Sequence, residues 1–469
     1  MAKIFDFDFY KLVGFLAAME LVSAIAFYNF NLQIIATVAI FVIALFLSLK
    51  KLEWGIYLVL MELVIGGLGY LFALPIGDTR ISVRLLLFTA VMLAWLIGLI
   101  KNHDWSWLKS EKFLALLPLF GFLVWGLIQA LAYHRGLGEI FTDANNYLFL
   151  ALIAPILTAK IEVDKVIKVI LAGSVVVALK TALVLFLFAH GFAVLHDPFY
   201  KLIRDTGIGE IALIQVPLYR IFFQSHFYNL IALIVAVAFL AAGQIQKGDK
   251  WPLIAVIWLN FLTLLISESR TFWLAGLGGL AVIAIYSFYK KIGYKKILAM
   301  VGLLAVCLVT GHFVLNLLIG DFRINLFYSR LNEGNAEAGV SSRGAQFWPA
   351  LAEIKKAPLL GWGFNKTITF NSSDPRIKNA ANPTGLRTTD ALELGYLDII
   401  LKIGLLGCLA YVGYLLLILF KLYKKTASDP KYLGLSVGLL VLMAVHALTP
   451  YLNHPLGIGY LLILVGLLA

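Results

Sequence analysis

The chain has 469 residues, 61% of them hydrophobic and 14% charged, with a formal net charge of +12 and a mean hydropathy of +0.92. A soluble domain is roughly 45–50% apolar and about 25% charged, so the composition excludes one and specifies a polytopic membrane protein. The charge does not point to nucleic acid, because the lysines sit in short loops beside apolar runs, where cytoplasmic positive charge accounts for them. Cys307 and Cys408 both lie inside such runs and leave no disulfide framework.

In chain order, apolar runs occur at 11–28, 32–49, 53–75, 83–100, 113–132, 144–159, 166–190, 221–243, 251–267, 271–289, 297–319, 396–420, 432–449 and 455–469. A span needs about 20 apolar residues to cross ~30 Å of hydrocarbon, so these predict an all-α, polytopic bundle of about 12–14 transmembrane helices. No cleavable signal peptide is expected: the first run follows Met1–Lys11 and flows into further spans without a small-residue cleavage pattern. The chain divides into transmembrane helices with short loops over 1–319, a long polar loop over 320–395, and C-terminal transmembrane helices over 396–469.

With the amino terminus in the cytoplasm, every inside loop is lysine-rich, for example Lys50 and Lys51, Lys160, Lys165 and Lys168, Lys290 and Lys296, and Lys421, Lys424, Lys425 and Lys431. Apart from the long loop, the opposite loops hold Arg80, Arg135, Arg204 and Arg220 but only one lysine, Lys201. The positive-inside rule therefore predicts a cytoplasmic-membrane protein whose long loop is extracytoplasmic. The outer segment His190–Arg220 carries Phe199, Tyr200, Lys201, Arg204, Tyr219 and Arg220 among Gly207 and Gly209, a composition suited to anionic headgroups and equally to an ordinary amphipathic connector. Within the spans, Glu20, Glu62, Lys180 and Lys402 need partners; a structural pairing of Lys180 with Glu62 or Glu20 is expected.

The long loop, Gly320–Leu394, mixes five arginines with acids, amides, Trp348 and Trp362. Connectors between helices take only a few residues. The competing reading, a merely solvated loop, conflicts with the helical spacing of Phe347, Leu351 and Ile354 behind the candidate N-caps Ser341 and Ser342; Pro349 should kink or delay that helix. Pro358-Leu-Leu-Gly361-Trp-Gly363 then predicts a tight turn open to close backbone approach by a ligand.

Three motifs sit at outer membrane ends: Pro217-Leu-Tyr-Arg220-Ile-Phe-Phe, Ser267-Glu-Ser-Arg270-Thr-Phe-Trp, and Asp390-Ala-Leu-Glu393-Leu-Gly-Tyr396-Leu. Any one arginine alone would serve as a headgroup anchor. Arg220 and Arg270 together, with Arg343 in Ser-Ser-Arg-Gly-Ala-Gln-Phe-Trp, could hold a lipid pyrophosphate, since a guanidinium offers paired charge-assisted bonds to phosphate oxygens. ATP and nucleotide sugars are cytoplasmic, whereas activated donors on the outer face arrive attached to lipid.

These motifs, their order, the long outer loop and Gly404-Leu-Leu-Gly407 resemble the O-antigen ligase and polymerase superfamily of bacterial membrane glycosyltransferases, well over about residues 215–410. The resemblance implies a helical, C-type glycosyltransferase-like enzyme of the cell envelope. It would take a glycan from undecaprenyl pyrophosphate to an acceptor hydroxyl on a glycan, lipid or protein, with inversion and without metal, nucleotide or other cofactor. Arg220 and Arg270 would bind the pyrophosphate, with Arg343, Trp348 and Tyr396 completing the substrate site. Where ligases of this family tend to have a His-Asn pair, the chain has Glu393-Leu394, which makes the general base a carboxylate, Glu393, with Asp390 in reserve; Lys402 stands where many relatives have an acid. Both departures favour a polymerase or a protein O-oligosaccharyltransferase over a lipid A core ligase. A polysaccharide or lipid transporter would predict internal repeats with matching broken helices, and none is evident.

Overall fold

The computed structural model describes residues 3–77, 79–243, 246–290, 294–322, 338–374 and 377–468. The chain opens with α1 (Phe7–Phe27), α2 (Phe30–Lys50) and α3 (Leu52–Ile65), then a hairpin of β1 (Ala73–Ile76) and β2 (Thr79–Ser82). There follow α4 (Val83–Asn102), α5 (Glu111–Leu114), α6 (Leu117–Ala132), α7 (Leu137–Ala144), α8 (Ile153–Thr158), α9 (Val163–Ala189) and α10 (Ala193–Asp205). A second hairpin, β3 (Gly209–Gln215) with β4 (Leu218–Phe223), leads into α11 (His226–Ala242), α12 (Lys250–Ser267), α13 (Arg270–Tyr289) and α14 (Tyr294–Ile319). The long loop contributes α15 (Ala338–Lys356) and a third hairpin, β5 (Ile368–Asn371) with β6 (Leu386–Thr389). The chain ends with α16 (Gly395–Ser428), α17 (Lys431–His446) and α18 (Pro455–Gly466).

Among the described residues, ten helices are long and apolar enough to cross a membrane, and three shorter apolar ones accompany them. The expected all-α polytopic bundle is what forms. Helices apolar on every side belong in the interior: every residue of α18 is buried, as is nearly all of α11. Around α11 pack α9, α12, α13 and α17. Polar side chains also tie this interior, Asn229 bonding Asn260 at 2.9 Å and the Ser174 carbonyl at 2.9 Å.

Two apolar runs are cut short. The run at 53–75 stops being helical at Ile65, where Gly66 and the left-handed Gly67 turn the chain toward the first hairpin. The run at 221–243 begins as strand, and its helix starts only at His226. The intramembrane ions pair as expected in one case and differently in another. Lys180 meets Glu20 at 2.5 Å, whereas Glu62 belongs to Arg84, with two bonds of 2.7 and 3.0 Å.

The loop corrects three expectations. Helix α15 begins at Ala338, so Ser341 and Ser342 lie within it and do not cap it, and it continues through Pro349. Its buried face is the i, i+4 ridge Ser342, Gln346, Ala350 and Ile354, while Phe347 and Trp348 are 38% and 70% exposed. The turn at 358–363 receives another backbone. Helix α16 is broken at Gly404 (φ +76°), and the turn satisfies the freed groups: Trp362 and Gly363 amides donate to the Leu401 and Lys402 carbonyls at 2.8 Å each, and the Leu405 and Leu406 amides donate to the Pro358 and Leu359 carbonyls. A Cβ on Gly361 would lie 2.6 Å from the Gly404 nitrogen, so the approach predicted for a ligand is filled by α16.

Candidate functional site

Hairpin β5–β6 returns the chain from the end of α15 to the start of α16, pairing Phe370 with Arg387 and Ile368 with Thr389. Beneath it Ala350, Ile354, Ile368, Phe370, Leu392 and Leu401 form a small separate core. Glu393 follows Leu392 at the mouth of α16, and the buried ridge of α15 seizes it. Its amide donates to Gln346 Oε1 at 2.9 Å, and Ser342 Oγ donates to its carboxylate at 2.8 Å. Gln346 in turn donates to Ser342 at 3.1 Å. Arg343 Nε lies 3.3 Å from the second carboxylate oxygen, a charge contact without hydrogen-bond alignment. The Glu393 side chain remains 38% exposed. A carboxylate with an oriented plane and an open face can accept a proton from a hydroxyl placed against it.

The arginine motifs build a second feature. Arg220 stands on β4 opposite Ala212, and its Nε donates to the Ser267 carbonyl at 3.1 Å. Its guanidinium stacks on Phe222, whose ring packs against Phe272 of α13. Ser267 ends α12, Glu268 follows in the left-handed conformation (φ +48°), and Ser269 caps α13 by accepting from the Phe272 amide, so Arg270 is the first residue of that helix. Arg220 is thus docked on the turn that presents Arg270. First-turn amides of a helix lack intrahelical partners and favour anions, so the Arg220 guanidinium stands at the turn that starts α13 with Arg270.

The C-terminal end of α17 links the two features. On one side Tyr396, three residues after Glu393, donates to the Met443 carbonyl at 2.9 Å and stacks edge-on against His446 at 4.7 Å. On the other, Ala444 and Leu448 line a furrow together with Thr271, the residue after Arg270.

Of the residues expected from sequence, Arg220 bonds to the turn that leads into Arg270, and Arg343 pairs with Glu393. Tyr396 is a tie between helices. Trp348 is displayed at the surface against Phe347, and Asp390 lies half-buried in the bend before α16 without a hydrogen bond or ion pair among the described residues. Sequence reasoning passed over Gln346, although 342 and 346 have the i, i+4 spacing that aligns them. It also passed over the buried network under Glu393. Lys402 lies 2.5 Å from Asp143 and 2.9 Å from Asp398; Asp398 accepts from Asn453 at 2.7 Å and from the Leu392 amide at 3.2 Å. The Asp398–Lys402 spacing was visible; Asp143, distant in sequence, gave no signal.

Residues 255–412 match the family model described as O-antigen ligase. The match spans α12 to the middle of α16, including Arg270, Arg343, Glu393 and Tyr396, and bears out the resemblance to the O-antigen ligase superfamily. No curated protein matches the chain significantly.

Proposed function

We propose that this O-antigen ligase-like membrane protein is a glycosyltransferase that moves a glycan from undecaprenyl pyrophosphate to an acceptor hydroxyl at the outer face of the cytoplasmic membrane. The observation that carries the reading is the pairing of a clamped, open carboxylate, Glu393, with the helix start that bears Arg270, joined through the end of α17; Glu393, Arg343 and Arg270 lie inside the matched segment. Arg220, Arg270 and the first turn of α13 hold the diphosphate. Glu393 takes the acceptor proton as the hydroxyl oxygen bonds to the anomeric carbon; the bond from that carbon to the diphosphate oxygen breaks, and its electron pair leaves with undecaprenyl pyrophosphate. Direct displacement inverts the anomeric centre. The leaving group is already good, so alignment and charge stabilisation are the main tasks, and neither requires a metal. Trp348 offers an exposed ring for a sugar face.

The reading includes an orientation, taken from the lysine distribution. Lys431 at the other end of α17 pairs with Asp164 at 2.5 Å, and the 16 residues of that helix separate it by about 24 Å from the end facing Glu393. The lysine-rich end is then cytoplasmic and the 320–395 loop extracytoplasmic. The test is turnover of a purified lipid-linked oligosaccharide without ATP or an ion gradient, read by product size. A ladder from donor alone identifies a polymerase, and reaction only with an added lipid or peptide acceptor identifies a ligase or a protein O-oligosaccharyltransferase. Absence of transfer to every acceptor overturns the proposal.

A further inference from the structure

Glu393 is held from two sides, and α15 is only one of them. The residues before and after it are both bonded to Asp398, in the first turn of α16. The Asp398 amide donates to the Leu394 carbonyl at 2.9 Å, and its Oδ1 accepts from the Leu392 amide at 3.2 Å. One residue thus brackets Glu393 through the backbone and leaves the Glu393 side chain to α15 and to the open face. A short stretch pinned at both ends can aim its middle side chain in few directions.

Asp398 is itself fixed. Its Oδ2 accepts from Lys402 Nζ at 2.9 Å and from Asn453 Nδ2 at 2.7 Å, so three donors converge on the carboxylate of a residue that is 3% exposed. Lys402 lies at the i, i+4 position, which brings the two side chains together on one helix face. Its ammonium also reaches Asp143 at the end of α7, at 2.5 Å, and the other oxygen of Asp143 accepts from the Asn365 amide, just past the 358–363 turn, at 2.7 Å. The cluster therefore ties α7, the turn of the long loop, α16 and the segment between α17 and α18 to the residue in front of Glu393. Buried ions are a poor source of stability, since apolar side chains of like volume often do as well. What they supply here is direction, because charge-assisted bonds are short and fix the geometry of both partners.

We propose that Asp398 is a positioning residue for Glu393, with Lys402 and Asn453 holding the Asp398 carboxylate turned toward the Leu392 amide. The proposal rests on the transferase reading, with Glu393 as the base. Asp398 acts through the backbone alone: it sets where the Glu393 carboxylate stands when the acceptor hydroxyl arrives, and a shift of about 1 Å there is worth roughly 10²-fold in rate.

Asp398→Asn tests this. Asparagine has one acceptor oxygen where three donors converge, so it gives up either the Leu392 amide or the pair Lys402 and Asn453. The expected result is a kcat lower by about ten-fold or more with donor KM unchanged, because Arg220 and Arg270 are untouched. Made in a Glu393→Gln background, the same substitution should alter the remaining rate by less than about two-fold, since a base that has been removed cannot be misplaced. Equal losses in the two backgrounds would make Asp398 merely structural and overturn the proposal, as would a wild-type kcat or a change confined to KM. A loss in Glu393→Gln with none in Asp398→Asn would overturn the positioning role and leave the transferase reading standing; no loss in Glu393→Gln would remove the base and the proposal with it. If melting in detergent shows that Asp398→Asn does not fold, Asn453→Ala carries the same cycle. It takes one donor from the carboxylate and keeps every charge, and its expected loss of roughly three-fold or more in kcat should likewise vanish in Glu393→Gln.

Discussion

At the scale of single residues, the proposed reaction divides between Glu393 and the two arginines. Glu393→Gln keeps the shape and can still accept from Ser342, but an amide cannot take a proton. The expected result is a fall in kcat of about 10²–10⁴-fold with donor KM nearly unchanged, and an unchanged kcat would show that Glu393 is not the base. Arg270→Ala and Arg220→Ala should each lower kcat/KM for the lipid-linked donor by roughly 1.5–3 kcal/mol, the worth of a charge-assisted bond. Lysine should rescue Arg270 only in part, for want of the planar fork. At Arg220 it should rescue less, because the Nε bond to the Ser267 carbonyl is lost as well. Full activity of both alanine variants, with the fold intact by melting, would remove the arginine turn from the site.

Elements meet here by backbone as much as by side chain. The break in α16 at Gly404 exists because the 358–363 turn supplies the donors and acceptors that the broken helix gives up; in an apolar interior each unpaired group would cost several kcal/mol. Gly404→Ala places a Cβ 2.1 Å from the Leu359 carbonyl oxygen and forces a side chain into a positive-φ, extended-ψ conformation (φ +76°, ψ 174°) that costs about 1–3 kcal/mol on its own. Gly404→Ala should therefore lower the melting temperature in detergent and reduce transfer. Gly413→Ala, later in the same helix and open around its Cα, should do neither. Similar behaviour of the two variants would mean that the backbone seam does not hold the loop in place. The same seam explains why Glu393 is held so closely: α15, the turn, and the first turns of α16 are one packed unit.

For the whole molecule, stability depends on ions buried in apolar surroundings. Arg84 and Glu62 have side chains only 5% and 6% exposed, so Arg84→Ala should cost about 3–5 kcal/mol by leaving a buried carboxylate alone, while replacing both residues by methionine should cost far less. A double variant as unstable as the single one would refute that account. Topology is testable by cysteine labelling on intact cells with an impermeant reagent: positions 373 and 387 should react and 424 should not; the reverse pattern would invert the orientation and remove the outer-face donor. Composition and hydropathy were enough to specify a helical membrane bundle, because crossing hydrocarbon demands long apolar stretches whatever their neighbours. The motifs around Arg270, Arg343 and Glu393 were legible for a similar reason, since each is a local run of residues. What only the tertiary structure decided was which side chains meet. Glu62 took Arg84 and left Glu20 to Lys180, Arg343 joined Glu393, and distant Asp143 closed the network on Lys402. Each pairing is set by which helices stand side by side, which local sequence does not encode.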